Sequence, residues 1–126
     1  MKVYTSYYGN PNLPKDALLI AVSAKVPDGF KVFDHAKSLA PTWNIYNEYK
    51  QSGDAERYTK RYKEEVLAKY NNKIISDRLY SLAYKYMKNV ILLCYEKPNV
   101  FCHRHLIAEW LDMGIAEWEG SEESWN

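Results

Sequence analysis

The apolar positions of this chain fall into two patterns. Three short stretches are apolar or β-branched without a helical period: residues 2–8 (KVYTSYY), 16–23 (DALLIAVS) and 90–95 (VILLCY). The first is bounded by Gly9-Asn10-Pro11 and reads as a strand followed by a turn. The continuous apolar runs of the other two suit strands covered on both faces, as in a parallel sheet. Elsewhere the spacing is helical. Thr42 is placed to cap a helix from Trp43 to about Gln51. A second helix is predicted from about Gly53–Asp54 to Tyr70, and a third over residues 73–87 with Ile74, Ile75, Leu79, Leu82, Ala83 and Tyr86 on its apolar face. A fourth runs over residues 102–113 and is closed by Gly114, with a short strand or extension at 115–118. Residues 24–40 show no clear period. A loop of that length is usually functional or disordered, and Lys25, Lys31, His35 and Lys37 interleaved with Phe30 and Phe33 suit a mobile lid over an anionic ligand.

Strands alternating with helices imply an α/β fold, a three-layer sandwich with a mostly parallel sheet of about four strands and flanking helices. The expected organisation is a single domain over residues 1–126 with a short acidic tail from about residue 117. In such sheets a ligand sits outside the carboxyl ends of the strands. Here those ends are Thr5-Ser6-Tyr7, Ser23 and Cys94-Tyr95-Glu96.

Composition adds two facts. The chain is 47% apolar and 26% charged, as in a soluble globular domain. Its net charge of +1 conceals an asymmetry: residues 1–108 hold all 17 Lys and Arg against ten acids, a balance of +7, while residues 109–126 hold six acids and no base. A basic body suits an anionic partner, and the acidic end reads as a solubilising tail or as an internal mimic of that partner. Many of the twelve tyrosines lie at helical spacing, which fits rings packed inward with hydroxyls outward, while Tyr7, Tyr8 or Tyr95 beside the site would be the ones to stack on a base. Much of the charge on the second helix pairs with itself at i,i+4 (Glu56–Lys60, Arg61–Glu65, Glu65–Lys69), which weakens a nucleic-acid stripe there. No apolar run reaches the roughly 20 residues of a membrane span and no signal-peptide core is present, so the expectation is a cytoplasmic protein with reduced thiols and no Cys94–Cys102 disulfide.

The candidate chemistry lies where the fourth helix starts. Cys102, His103, Arg104 and His105 crowd a helix N-terminus, where cations are unfavourable unless something anionic sits against them. Arg104 would be the fork for an oxyanion, with Ser6 and Thr5 contributing hydroxyls; a salt bridge to Glu96 or Asp112 is the plainer alternative. Cys102 would be a nucleophile or redox centre, or a buried small residue. His103 would be an acid–base group or a structural histidine, and Glu96 a base or a charge partner. Cys94, Tyr7, Ser23, Trp43 and His105 complete the surroundings, His105 with Glu109 as its alternative partner. Zinc is a weaker reading. Cys94, Cys102, His103 and His105 are permissible ligands, yet two histidines two residues apart on a helix point in different directions. No metal or other cofactor is assigned.

The sequence has no P-loop, no G-x-G-x-x-G, no G-x-S-x-G and no Cys-x5-Arg loop. Across most of its length it resembles the family named domain of unknown function 488. The resemblance rests on Tyr4-Thr5-Ser6-Tyr7-Tyr8, Leu39-Ala40-Pro41-Thr42-Trp43, the YTKRYKEEVL segment from Tyr58, and above all LLCYEKPNVFCHR from Leu92. A Cys-x-Glu strand end followed by a Cys-His-Arg triplet is the family hallmark, matched by Cys94, Glu96, Cys102, His103 and Arg104. The resemblance implies a small α/β domain of bacterial, archaeal and phage type with a role in nucleic-acid metabolism. Together these readings give a site for a phosphate-bearing small molecule or a nucleic-acid end, worked on by a hydrolase or transferase. A non-catalytic nucleotide- or protein-binding module and a thiol-redox or zinc protein are the alternatives. No membrane partner is expected, and the oligomeric state is open.

Overall fold

A computed structural model describes residues 1–98, 100–118 and 120. Its sheet has five strands, all parallel: β1 (Val3–Tyr7), β2 (Leu18–Ala21), β3 (Asp34–His35), β4 (Val90–Cys94) and β5 (Ala116–Glu117), in the order β3-β2-β4-β1-β5. The apolar run of β4 lies at the centre, buried at every position, with β1 on one side and β2 on the other. The α/β sandwich is therefore as expected, with one strand more than the sequence suggested. That strand, β3, lies inside residues 24–40.

Four helices, α1 (Trp43–Ser52), α2 (Ala55–Glu65), α3 (Asn72–Tyr86) and α4 (His103–Leu111), pack against one face of the sheet. Val3, Leu18, Ile20, Val22, Val90, Leu92 and Cys94 meet Ile45, Tyr62, Leu79, Ala83 and Ile107 there. The opposite face carries Tyr4, Tyr8, Ala21, Ile91 and Leu93, and is covered by irregular chain: Leu13, Ala17, Val26, Phe30 and Val32, with Trp118. Topology explains the division. Steps from β1 to β2 and from β2 to β3 run in one direction across the sheet, whereas steps to β4 and β5 run in the other. Crossovers of one hand must put the two directions on opposite faces. The neighbouring ends of β4 and of β1 and β2 thus lead away on opposite faces, the arrangement at which ligands bind in open α/β sheets.

Local chemistry fixes the ends of the helices. The Thr42 hydroxyl accepts from the Ile45 amide at 3.3 Å, and Gly53 closes α1 in the left-handed region at φ +68°. Asp54 caps α2 and Asn71 caps α3 through their side chains. One boundary and one helix face differ from expectation. The second helix stops at Glu65 rather than Tyr70, because Val66 and Leu67 turn into the core and the chain continues as a short 3-10 turn, Leu67–Lys69. On α3, Ser76 is buried and donates to the Leu111 carbonyl at 3.0 Å, whereas Ile74 and Tyr86 are exposed. Residues 24–40 are packed onto the sheet. Phe30 meets Tyr8 edge-on, β3 pairs with β2, and the ring of His35 bonds the Ser23 carbonyl. Most of the expected acidic tail, Glu119 and residues 121–126, lies outside the described residues. No helix among the described residues is long and apolar enough to cross a membrane.

Candidate functional site

β4 ends on Cys94, and after the exposed turn at 95–98 the chain re-enters the protein at Cys102, the residue immediately before α4. Strand alternation turns Cys94 toward the helical face, and Cys102 meets it there. The two sulfurs are joined as a disulfide, and both residues are buried. The expectation was of two separate reduced thiols, and the structure brings the two sulfurs into bonding contact. Eight residues of sequence separation suggested only a short closed loop, but the strand end and the helix start converge on the same buried point.

The next two residues of α4 are buried as well. The His103 ring sits edge-on to Tyr62, and its Nε2 donates to the Val22 carbonyl at 2.7 Å, where β2 ends. A carbonyl only accepts, so Nε2 carries the proton and Nδ1 keeps its lone pair. Nδ1 lies 3.8 Å from Cys102 Sγ. Burial pushes the His103 pKa down to about 4, opposed by the Val22 bond and reinforced by the Arg104 charge, so the ring is neutral near pH 7.

Arg104 has no exposed surface. Its Nε and Nη2 reach the two carboxylate oxygens of Glu117 at 3.2 and 2.9 Å, a bidentate pair. Nη1 donates to Cys94 Sγ at 3.3 Å and to the Glu96 carbonyl. The partner is thus Glu117 rather than the Glu96 carboxylate or Asp112. Glu117 also accepts from the Thr5 hydroxyl at 2.7 Å, since the two residues are in register on adjacent strands. His105 points away from His103, as its position two residues on requires. Burial and the Arg104 charge lower its pKa, and its Nε2 is buried without a hydrogen-bond partner among the described residues. It lines a groove of about 400 Å³ with Thr5, Glu109, Asp112 and Glu117. Glu109 lies 3.9 Å from Lys63.

The structure therefore gathers Cys94, Cys102, His103, Arg104 and Thr5 on the helical face, with Tyr7 beside Cys94 and His105 beside Thr5, but not Ser6, Ser23, Glu96 or Trp43. Ser6 and Ser23 face the opposite side. Ser6 accepts from Asn10 at 3.0 Å, and the Ser23 hydroxyl lies 2.6 Å from that of Tyr8. Tyr7, half-buried, ends β1 in register with Cys94. The Glu96 side chain is exposed beyond the strand end, and Trp43 is 70% exposed at the start of α1. Sequence reasoning missed two members, the Val22 carbonyl and Glu117. Glu117 did carry a signal, as a lone acid between the apolar positions Ala116 and Trp118.

The arrangement defines a parallel α/β protein with a buried cysteine pair, a neutral histidine and a compensated arginine at the strand ends. Residues 3–114 match the family model DUF488-N3a, described as the active DUF488-N3 subclade, and the chain belongs to that family. No curated protein and no solved structure matches it.

Proposed function

We propose that Cys94 and Cys102 form a thiol–disulfide centre and that the chemistry of this protein is carried by sulfur. The observation behind this reading is the Arg104 guanidinium on Cys94 Sγ at 3.3 Å, beside the Cys94–Cys102 bond. Arg104 favours Cys94 as the departing thiolate, so an external thiolate would attack Cys102 Sγ. The S–S bond breaks, its electron pair stays on Cys94, and Cys102 carries the mixed disulfide. A second external thiol then releases Cys102 and restores the reduced pair. In the reducing cytoplasm, our proposed location, a disulfide is catalytic or sensing rather than structural. The test is iodoacetamide labelling with mass readout. We expect no label before treatment with a dithiol reductant and two labels after it. Two labels without reductant, in protein handled in air, would refute the centre.

A second reading is favoured by Glu117. Arg104 already grips an oxyanion through both arms, and that carboxylate comes from the acidic end of the chain. A phosphate-bearing small molecule or nucleic-acid end would replace Glu117 on the same fork, with hydrolase or transferase chemistry following. Melting curves with a phosphate and nucleotide panel test this. A ligand at 100 times its Kd should stabilise Glu117→Gln by about 2.7 kcal/mol, and no shift in that variant would remove the reading.

A further inference from the structure

We infer that the reduced form of this cysteine pair is a metal site: Cys94 Sγ, Cys102 Sγ and His103 Nδ1 bind one thiophilic d10 cation, Zn2+ or Cu+. The inference deepens the thiol reading and rests on it, since the sulfurs must first be freed from each other.

Three observations carry it. The donor atoms of Cys94, Cys102 and His103 all lie within 4.8 Å of one another, close enough for one ion to reach all three. Two sulfurs and an imidazole nitrogen are the donor set that Zn2+ and Cu+ favour over hard cations. The histidine is also oriented as a ligand. Its Nε2–H is fixed on the Val22 carbonyl at 2.7 Å, which leaves the Nδ1 lone pair on the sulfur side. Metal-binding histidines characteristically hold their second nitrogen in this way, on a carbonyl or carboxylate. Arg104 adds a hydrogen bond to the Cys94 thiolate, as ligand sulfurs commonly receive.

The balance is simple. A dithiol gives two electrons and two protons to the Cys94–Cys102 bond and becomes a disulfide, leaving two thiols. The cation then displaces both thiol protons and is held by two thiolates and the neutral ring. Three protein donors complete a trigonal Cu+ site, whereas Zn2+ would take a fourth ligand from water. Binding and disulfide are mutually exclusive, so the oxidation state of the pair would gate the metal.

The experiment uses the intact chain, reduced and desalted without oxygen, and titrated in separate arms with Zn2+ against a zinc-chelating dye and with Cu+ against a copper(I) chelator. One equivalent should bind in at least one arm, with about two protons released per ion. The air-oxidised protein should bind none. His103→Gln and Cys102→Ser, checked for folding by circular dichroism, should each weaken binding at least 10-fold. If those variants unfold, proton release and a thiolate-to-metal charge-transfer band with Co2+ in the native chain serve instead. Equal binding by oxidised and reduced protein, or binding without proton release, would overturn the site. Two alkylatable thiols with no metal uptake in either arm would end the metal inference and leave the thiol centre standing. A pair that never becomes alkylatable would end both.

Discussion

The hydroxyl of Tyr62, on α2, donates to the main-chain carbonyl of Leu39, which lies 23 residues earlier. The bond ties the segment entering α1 to the helix that backs the site, and the same ring packs against His103. Tyr62 has no exposed surface, and its burial raises the hydroxyl pKa far above that of a free phenol.

Tyr62→Phe leaves that carbonyl without its donor, and should destabilise the protein by about 1–3 kcal/mol in urea unfolding. In the native chain, ultraviolet titration should show fewer than the twelve tyrosines ionising near pH 10, with Tyr58 and Tyr62 held back until unfolding. All twelve titrating together in folded protein would contradict this packing.

His103 makes stability depend on pH with a definite sign. Its folded-state pKa of about 4 lies below the ordinary value of 6.5, so the unfolded chain binds the extra proton first as pH falls. The contribution is complete above pH 6.5 and is lost on acidification between 6.5 and 4. From pH 7 to pH 5 the loss from this ring is about 2 kcal/mol. His105 acts in the same direction. The difference between wild type and His103→Gln isolates His103, and parallel stability–pH curves for the two would show that the ring does not titrate as described.

Arg104 and Glu117 should behave as a unit. Arg104→Met alone strands a carboxylate against the core and should cost about 3–5 kcal/mol. Adding Glu117→Leu should recover most of that loss. Additive penalties in the double variant would mean that the two residues are not coupled.

The α1 cap is separable from the site. Thr42→Ala removes the acceptor for the Ile45 amide, and should cost about 1 kcal/mol while leaving thiol reactivity unchanged. Labelling kinetics and denaturant midpoints on the same sample check both halves.

What could be read from the sequence follows from how local each signal was. β1, β2, β4 and the four helices announced themselves through apolar runs, spacing and caps such as Thr42. β3 did not, because Asp34 and His35 are polar and belong to an edge strand of two residues. The end of α2 was missed because Val66 and Leu67 continue a helical pattern while their burial depends on the tertiary fold. The cluster at Cys102, His103 and Arg104 was visible as a charge anomaly at a helix start. Its resolution was not, since the compensating charge comes from Glu117, 13 residues further on across the sheet. Strand parity separates Thr5 from Ser6, so two neighbours proposed for one site serve opposite faces.

β4 lies between β1 and β2, which share no ladder with each other. During synthesis the first strand must therefore wait for nearly ninety residues before any partner exists, and the second, which soon gains only the two-residue edge strand β3, waits about seventy for its central neighbour. The helices between them can form as soon as they emerge, but they have no sheet to rest on. Assembly is thus governed by one late, non-local event, the insertion of Val90–Cys94 between two strands already made, and a topology of that kind folds slowly. The same event delivers Cys94 to its place, so the sulfur centre cannot exist before the fold does.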